Sequence, residues 1–232
     1  MTASYKEHFL RFLSADPDRL HFAAHSHHLW PDVTHEAQAR AWDVAARLAD
    51  RKWDHIFGEV VPTAQRHIAR TLGLAQPATV ALAPNTHELF MRILSCLDDP
   101  VRILTTDGEF HSFRRQARRL EEAGRAVIER VPVEPFESFA DRFAAAVAGW
   151  PADLVYVSQV FYDSGFVRPD IVLPAADAFV VIDGYHGFMA LPTDLGAAAD
   201  RVFYLAGGYK YAMSGEGVCF AHCPRGYGTR PV

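Results

Sequence analysis

The stretch VFYLAGGYKY, residues 202–211, joins an apolar run to two glycines and a lysine that stands between two tyrosines. The β-branched and aromatic residues of the run predict a buried strand, and the glycines predict that this strand ends in a tight loop. The segment VVIDGYH, residues 180–186, has the same design, because its apolar run ends in a carboxylate and a glycine. Both segments therefore predict strands whose ends carry polar side chains.

From residue 79 onward, short β-rich runs alternate with helical stretches, which predicts an α/β fold with helices on both faces of a mainly parallel, seven-stranded sheet. The candidate strands are Val80–Ala83, Val101–Thr105, Val127–Val133, Leu154–Gln159, Phe179–Asp183, Val202–Leu205 and Val218–His222. Helices are predicted between the early strands, near 87–98, 112–123 and 136–149.

The first 75 residues have a different, helical pattern, with helices predicted near 4–14, 32–50 and 55–73. We therefore divide the chain into an N-terminal helical segment, 1–75, and one α/β domain, 76–232. No internal repeat or low-complexity linker divides the second part further.

Composition narrows the classes of partner. Of the 232 residues, 50% are apolar and 22% are charged, which predicts a globular protein with one sizeable core. The net charge of −5 gives no electrostatic reason to expect nucleic acid or an anionic membrane as a partner. The three cysteines are too few for a disulfide framework, and the N-terminus lacks the apolar region of a secretory signal. We expect a soluble, cytoplasmic protein that acts on a small molecule.

Three loops that follow predicted strands carry polar side chains. Open α/β sheets place their ligand sites at the carboxyl ends of parallel strands, so Thr86, Asp183 and Lys210 are expected to converge. The helix that begins near Thr86 favours an anion through its backbone N–H groups and its dipole. Simple N-capping by Asn85 or Thr86 is the alternative explanation of that segment.

Lys210 and Asp183 each have a plain alternative as well. A desolvated lysine has a lowered pKa and can form an imine and later act as a general base, although most isolated lysines lie on the surface. A carboxylate at a strand end can hold a proton on a ring nitrogen, although such an aspartate is more often a turn residue. A doubly wound α/β protein with both residues solvated leaves the coincidence of these residues with His186 unexplained.

The order Thr86, Phe110, Asp183, His186 and Lys210 resembles the class V aminotransferase superfamily of pyridoxal 5'-phosphate (PLP) enzymes, from about Leu20 to Pro224. The most specific part is Asp-x-x-His at 183–186 together with Gly-Tyr-Lys-Tyr at 208–211. The resemblance implies the large domain of a fold-type-I PLP enzyme, a three-layer α/β/α structure whose last strand is antiparallel. Lys210 would be its Schiff-base lysine, and Asp183 would hold the pyridine nitrogen protonated.

Within that superfamily, the details resemble the kynureninase branch. In desulfurases, a histidine generally stacks on the cofactor ring and directly follows a glutamate. They also generally have a glutamine three residues after the aspartate. Here Glu109 is followed by Phe110, and the third residue after the aspartate is His186. Tyr209, directly before the lysine, is likewise similar to the kynureninase pattern, in which this tyrosine contacts the phosphate.

The resemblance also implies the roles of the remaining site residues. Phe110 would stack on the cofactor ring, His186 would lie near its O3′ or phosphate, and Tyr209 would donate to the phosphate. The alternatives are an ordinary core aromatic for Phe110 and a turn at 163–165 for Asp163. The predicted PLP contacts are Thr86, His87, Phe110, Ser158, Asp183, His186, Tyr209 and Lys210, and the predicted substrate contacts are His25, Ser26 and Asp163. The histidines at 25–28 match no zinc spacing, and no metal site is predicted.

By this resemblance, the chain is a PLP-dependent enzyme that acts on an amino acid, either a kynureninase-like hydrolase or a class V aminotransferase, with Lys210 and Asp183 as catalytic residues. A cysteine desulfurase-like lyase is one alternative. Because the sequence stops soon after the seventh strand, the small C-terminal domain of the superfamily, which supplies a carboxylate-binding arginine, is expected to be absent. The other alternative is therefore a catalytically incomplete cofactor-binding or dimerisation module. A homodimer is expected in either case.

Overall fold

The computed structural model of the chain describes residues 4–168, 173–174 and 178–225. Its α-helices are α1 (Leu10–Ala15), α2 (Asp32–Leu48), α3 (Lys52–His55), α4 (Val61–Thr71), α5 (Thr86–Leu94), α6 (His111–Glu122) and α7 (Phe139–Gly149). One π-helical turn, Ile56–Val60, joins α3 to α4, and short 3-10 turns lie at Lys6–His8, Ala49–Arg51, Pro77–Thr79, Phe136–Ser138 and Gly196–Asp200. Among these residues, no helix combines the length and the apolar character needed to cross a membrane.

Seven strands form a single sheet, as the sequence predicts. They are β1 (Val80–Ala83), β2 (Val101–Thr106), β3 (Ala126–Val131), β4 (Leu154–Ser158), β5 (Phe179–Asp183), β6 (Val202–Gly207) and β7 (Cys219–His222). Their order is β1-β7-β6-β5-β4-β2-β3. β7 is antiparallel to both of its neighbours, and every other pair is parallel. The predicted mainly parallel sheet with an antiparallel last strand is confirmed.

Helices cover both faces of this sheet and give it two apolar cores. On one face, α5 and α6 pack through Leu89, Phe90 and Phe113. On the other face, α4 and α7 pack through Ala69 and Phe139. All five residues of β4 are buried, which is expected of a central parallel strand that is covered on both sides. The three-layer α/β/α fold predicted from the sequence is therefore confirmed.

The predicted boundaries differ from the observed ones mainly at element ends. β3 ends at Val131 rather than Val133, because Pro132 has no backbone N–H with which to continue the ladder. The predicted helix at 4–14 is interrupted at Phe9, and the helix predicted at 55–73 begins earlier, at Lys52. The helix predicted at 87–98 ends at Leu94. The division of the chain at residue 75 stays a prediction.

The carboxyl ends of the parallel strands lie along one edge of the sheet, and the antiparallel β7 begins at that same edge. In the register, Ser158 stands opposite Asp183, and Gly207 stands opposite Cys219. The loops after β1, β2, β4, β5 and β6 therefore leave the sheet side by side. This edge is where the candidate site lies.

Candidate active site

Lys210 follows β6 directly and is only 4% exposed. Its Nζ contacts His186 Nε2 and lies 5.5 to 5.8 Å from the centres of the Tyr185, Phe110 and Tyr209 rings. Desolvation by these surroundings lowers the pKa of Lys210 to about 8, against the attraction of Asp183, which raises it. Lys210 is therefore a buried lysine, and the surface alternative is wrong.

The loop before Lys210 depends on its glycine. A Cβ added to Gly207 would lie 2.2 Å from the hydroxyl oxygen of Tyr185, closer than any real contact allows. Glycine at this position lets the Tyr185 ring lie against the lysine loop. A Cβ on Gly208 would likewise lie 1.9 Å from the Ser214 hydroxyl oxygen, so both glycines of the 202–211 segment have a close-packing role.

Asp183 ends β5 and is 8% exposed. Its Oδ2 accepts a hydrogen bond of 2.7 Å from the Tyr156 hydroxyl, and its Oδ1 accepts one of 3.0 Å from the Tyr185 backbone N–H. Burial raises the pKa of Asp183, while these two donors and Lys210 act in the opposite direction. The bond to Tyr185 is the local bond of a turn residue, so Asp183 both shapes the turn and presents its charge to the lysine.

Tyr156 is held rigidly below Asp183. Its ring stacks on Phe113 with centres 3.8 Å apart and planes 6° apart, and Phe90 meets it edge-on at 5.3 Å. Tyr156 was not predicted as a site residue, because its sequence context is that of an ordinary core residue in a buried strand. Only its position opposite β5 gives it a polar role.

His186 is neutral at pH 7. Burial, the charge of Lys210 and the nearby His25 lower the pKa of His186 to about 4. A neutral imidazole whose Nε2 is unprotonated can accept a hydrogen bond from the Lys210 ammonium group. The Phe110 ring lies 6.2 Å from the imidazole, so the two side chains border the same space.

These residues surround one cavity of about 300 Å³. It is lined by Pro84, Asn85, Thr86, Phe110, Asp183, Tyr185, His186, Tyr209, Lys210, Glu216, Gly217 and Cys219. The N-terminus of α5 forms one end of it. There the Asn85 side chain accepts a 2.8 Å hydrogen bond from the Glu88 N–H, which confirms N-capping by Asn85 while Thr86 still faces the cavity.

Three of the other predicted site residues, His87, Ser158 and Asp163, do not line the cavity. His87 is exposed. Ser158 is buried beside the cavity and bonds to Glu109. Asp163 is exposed in a turn that is closed by a 2.9 Å bond from the Gly165 N–H to the Phe161 carbonyl, as the turn alternative predicts.

The segment that precedes α2 reaches towards the site. His25 and Ser26 are exposed, yet His25 is near enough to His186 to influence its pKa. The His28 ring lies 6.1 Å from that of Tyr211, the residue after the lysine. Their predicted contact with a substrate stays a prediction.

Six lining residues were not predicted as site residues, namely Pro84, Asn85, Tyr185, Glu216, Gly217 and Cys219. Tyr185 stands between the aspartate and the histidine of the Asp-x-x-His motif, which was the available signal. The Cys219 thiol lies 3.5 Å from the Tyr185 hydroxyl, and burial raises the pKa of Cys219. Cys219 is therefore both buried and part of the cavity wall.

No protein-family model matches the chain, and none of the curated proteins is significantly similar to it. Solved structures do share its fold. The cystine C-S lyase C-DES, in complex with its product cysteine persulfide, has a TM-score of 0.73 at 18% identity, over 87% of this chain and 56% of that chain. A cysteine desulfurase from Thermococcus onnurineus NA1 has a TM-score of 0.72 at 18% identity, over 97% and 58%. A C-DES mutant with glycine covalently linked to its PLP cofactor has a TM-score of 0.73 at 17% identity, over 97% and 60%.

The chain therefore has the fold of the PLP-dependent transferases, as the sequence predicts. The structures that share it here are lyases and desulfurases, so the kynureninase-like assignment stays a prediction. The chain spans between 56% and 60% of the length of these three structures.

Proposed function

We propose that this chain binds PLP covalently through Lys210 and acts on an amino acid. One observation carries the proposal: a buried lysine with a lowered pKa and a buried aspartate face the same 300 Å³ cavity, whose far end is a helix N-terminus. The cavity lies within the range of small-ligand sites. The fold it belongs to, that of the PLP-dependent transferases, supports the same assignment.

The residues present fit the two ends of this cofactor. The nine-residue helix α5 directs its first backbone N–H groups and its positive end at the cavity beside Thr86, which suits a phosphate. At the other end, Asp183 is a buried carboxylate with two donors, which suits a protonated ring nitrogen. Phe110 and Tyr209 supply aromatic surface between these ends.

Lys210 is the side chain that would take part in the proton transfers of this reaction, with His186 beside it. With a pKa of about 8, Lys210 has an appreciable neutral fraction near neutral pH and can attack a carbonyl carbon. The neutral His186 accepts a hydrogen bond from Lys210 and so orients its amino group, but with a pKa of about 4 it does not hold the proton itself. Bound PLP supplies an electron sink for negative charge at the α-carbon of the amino acid. Lys210 can then act as the base that takes the proton from that carbon.

Three reaction classes compete for the substrate step. Phe110 and His186 favour a kynureninase-like hydrolase or a class V aminotransferase, as the sequence implies. The shared fold with C-DES and with a cysteine desulfurase favours cleavage of a carbon–sulfur bond in cysteine or cystine. Assays of purified protein with kynurenine, with cysteine or cystine, and with an amino acid plus a keto acid distinguish these classes. No turnover in any assay, with PLP bound, supports an incomplete cofactor-binding module. A homodimer and a cytoplasmic location remain proposals on the same footing.

The test of the cofactor is made easy by the composition, because the only lysines of the chain are Lys6, Lys52 and Lys210. We expect PLP to give the purified protein a visible absorption band that Lys210→Ala abolishes and that Lys6→Ala leaves intact. Borohydride followed by peptide mass spectrometry should place the cofactor on Lys210. A protein that stays colourless, or a label on Lys6 or Lys52 instead, contradicts the proposal.

A further inference from the structure

Glu109 is a fully buried carboxyl group, with 0% exposure, just outside the cavity. Its Oε1 accepts hydrogen bonds from the Thr106 hydroxyl at 2.7 Å and from the Ser158 N–H at 3.2 Å. Its Oε2 lies 2.6 Å from the Ser158 hydroxyl. The loop after β2 is thereby bonded to the end of β4.

These hydrogen bonds of Glu109 lie beyond the last residues of β2 and β4 that pair with each other. The parallel register of β2 with β4 covers only Ile103 with Leu154 and Leu104 with Val155. No further residues of the two strands pair in this ladder, although β2 continues to Thr106 and β4 continues to Ser158. The Glu109 carboxyl bonds to the last residue of each strand and so joins them where the ladder has ended.

The charges around Glu109 favour its neutral form. The titratable groups that act on it are Asp183, at the end of β5, and Tyr156 on β4. Burial raises the pKa of Glu109 to about 8; the Ser158 and Thr106 bonds lower it, and the negative charge of Asp183 adds to the rise. Within the described residues, Glu109 takes part in no ion pair. A neutral Glu109 donates its proton to the Ser158 hydroxyl, which can accept as well as donate.

Phe110 follows Glu109 directly in the chain. Its ring lies 5.7 Å from Lys210 Nζ and meets the Tyr162 ring edge-on at 5.2 Å. The position of this ring is therefore tied to the bonds that Glu109 makes. The ring in turn helps to keep water from Lys210.

We propose that Glu109 is a positioning residue of this site. In its neutral form it joins the ends of β2 and β4, holds the Phe110 ring beside Lys210, and leaves Asp183 as the negative charge that acts on the lysine. The inference rests on the proposed function, because it assigns a part to that same site. It concerns a residue that contacts neither the lysine nor the cavity directly.

Glu109→Gln copies the neutral form of the side chain. The glutamine Nε2 group donates to the Ser158 hydroxyl as the protonated carboxyl does, and its Oε1 keeps the other two bonds. Glu109→Ala removes all three bonds. Glu122→Gln, on the exposed side of α6, is the matched control, since it removes a carboxyl of the same type that pairs only with surface arginines.

The first readout is the reactivity of Lys210 in protein free of PLP. It is measured by acetic anhydride labelling over a range of pH, with Lys6 as the internal standard. The groups that face Lys210 are His186, Asp183, Tyr185 and Tyr209. We expect a midpoint of about 8 in the wild type, in Glu109→Gln and in Glu122→Gln. In Glu109→Ala it should rise by about one unit, as water reaches the lysine. A midpoint that falls by about one unit in Glu109→Gln means that Glu109 is charged. An unchanged midpoint in Glu109→Ala means that it does not hold Phe110. Either result overturns the proposal.

The second readout is the free energy of unfolding measured as a function of pH. It needs only the wild type and Glu109→Gln, the variant that keeps the hydrogen bonds. The pKa of Glu109 is higher in the folded chain than in the unfolded chain, so its contribution to stability is complete at low pH and is lost as pH rises from about 5 to 8. The wild type should therefore lose stability relative to Glu109→Gln over this range, while the titration of His186 is common to both and cancels. A difference that is constant with pH refutes the neutral form of Glu109. Both readouts use protein without PLP, so a failure to bind PLP would reject the proposed function and leave the role of Glu109 standing.

Discussion

At the scale of single residues, the charge of Asp183 depends on donors that reach it inside the protein. The Tyr156 hydroxyl is one of them, at 2.7 Å, and the stacked Phe113 ring prevents it from turning away. Removing this donor leaves a buried carboxylate with one protein hydrogen bond fewer. The cost is expected to be larger than for a bond between neutral groups, because the bond assists a charge.

We therefore expect Tyr156→Phe to lower the free energy of unfolding by about 1.5 to 3 kcal/mol at pH 7, measured by urea titration. Tyr204→Phe is the matched control, since Tyr204 is also fully buried but donates at 2.7 Å to the neutral amide oxygen of Gln159. Its loss should be about 1 kcal/mol. Equal losses for the two variants would show that Asp183 carries no charge for the tyrosine to stabilise.

Short sequence motifs were enough to predict the site residues that lie in the loops after the strands. Lys210, Asp183 and His186 were predicted from the ends of two strands, and the structure places all three on one cavity. Tyr156 and Glu109 could not be assigned roles in this way. Their partners lie 27 and 49 positions away in the chain, so the bonds exist only because the sheet brings β2, β4 and β5 together.

At the scale of elements, α5 shows how a helix end forms one wall of the site. Asn85 takes an extended conformation and caps the Glu88 N–H, which fixes where the helix starts and therefore where its positive end points. Asn85→Ala should reduce stability by about 1 kcal/mol in urea unfolding. Asn85→Asp keeps an accepting oxygen and should retain the stability of the wild type. If alanine and aspartate behave alike, the cap does not fix this helix.

Strands were predicted more closely than helix ends, for a physical reason. β1 and β5 have the predicted bounds, because their apolar runs are set off by polar or turn-forming residues on both sides. The end of α5 at Leu94 is not marked by such a signal, since the residues that follow are compatible with a helix. Where the chain leaves a helix without glycine or proline, tertiary packing decides the boundary, and a single sequence does not contain that packing.

At the scale of the whole molecule, α4 belongs to the core of the sheet. Ala69 and Leu72 are buried in the same cluster as Val80 and Phe220, and the Gln65 side chain donates to the Val80 carbonyl at 2.8 Å. By contrast, no residue of α2 is buried. The structural boundary that this packing suggests lies before α4, ahead of the division at residue 75 that the sequence pattern suggests.

A chain that begins at Lys52 should therefore keep a cooperative unfolding transition, whereas one that begins at Gln76 should lose it. Truncating one buried leucine such as Leu72 to alanine costs about 2 to 5 kcal/mol, and the second chain loses the whole helix against a total stability of about 5 to 15 kcal/mol. Circular dichroism during urea titration makes the comparison. Equal midpoints for the two chains would restore the boundary at residue 75.

The place of β7 between β1 and β6 has a consequence for the order in which the protein is made. β1 has no partner in the described sheet other than β7, and its Val80 pairs with His222, near the opposite end of the chain. While the chain emerges from the ribosome, β2 to β6 can already assemble in parallel, but β1 pairs only once β7, the last of the seven described strands in chain order, has been translated. The helix that begins after β1, α5, contacts both β6 and β7, so its final position also depends on β7. In a nascent chain, Lys210 can thus follow a folded β6 before the N-terminus of α5 is fixed beside it, and the cavity is complete only when β7 has joined β1 to the sheet.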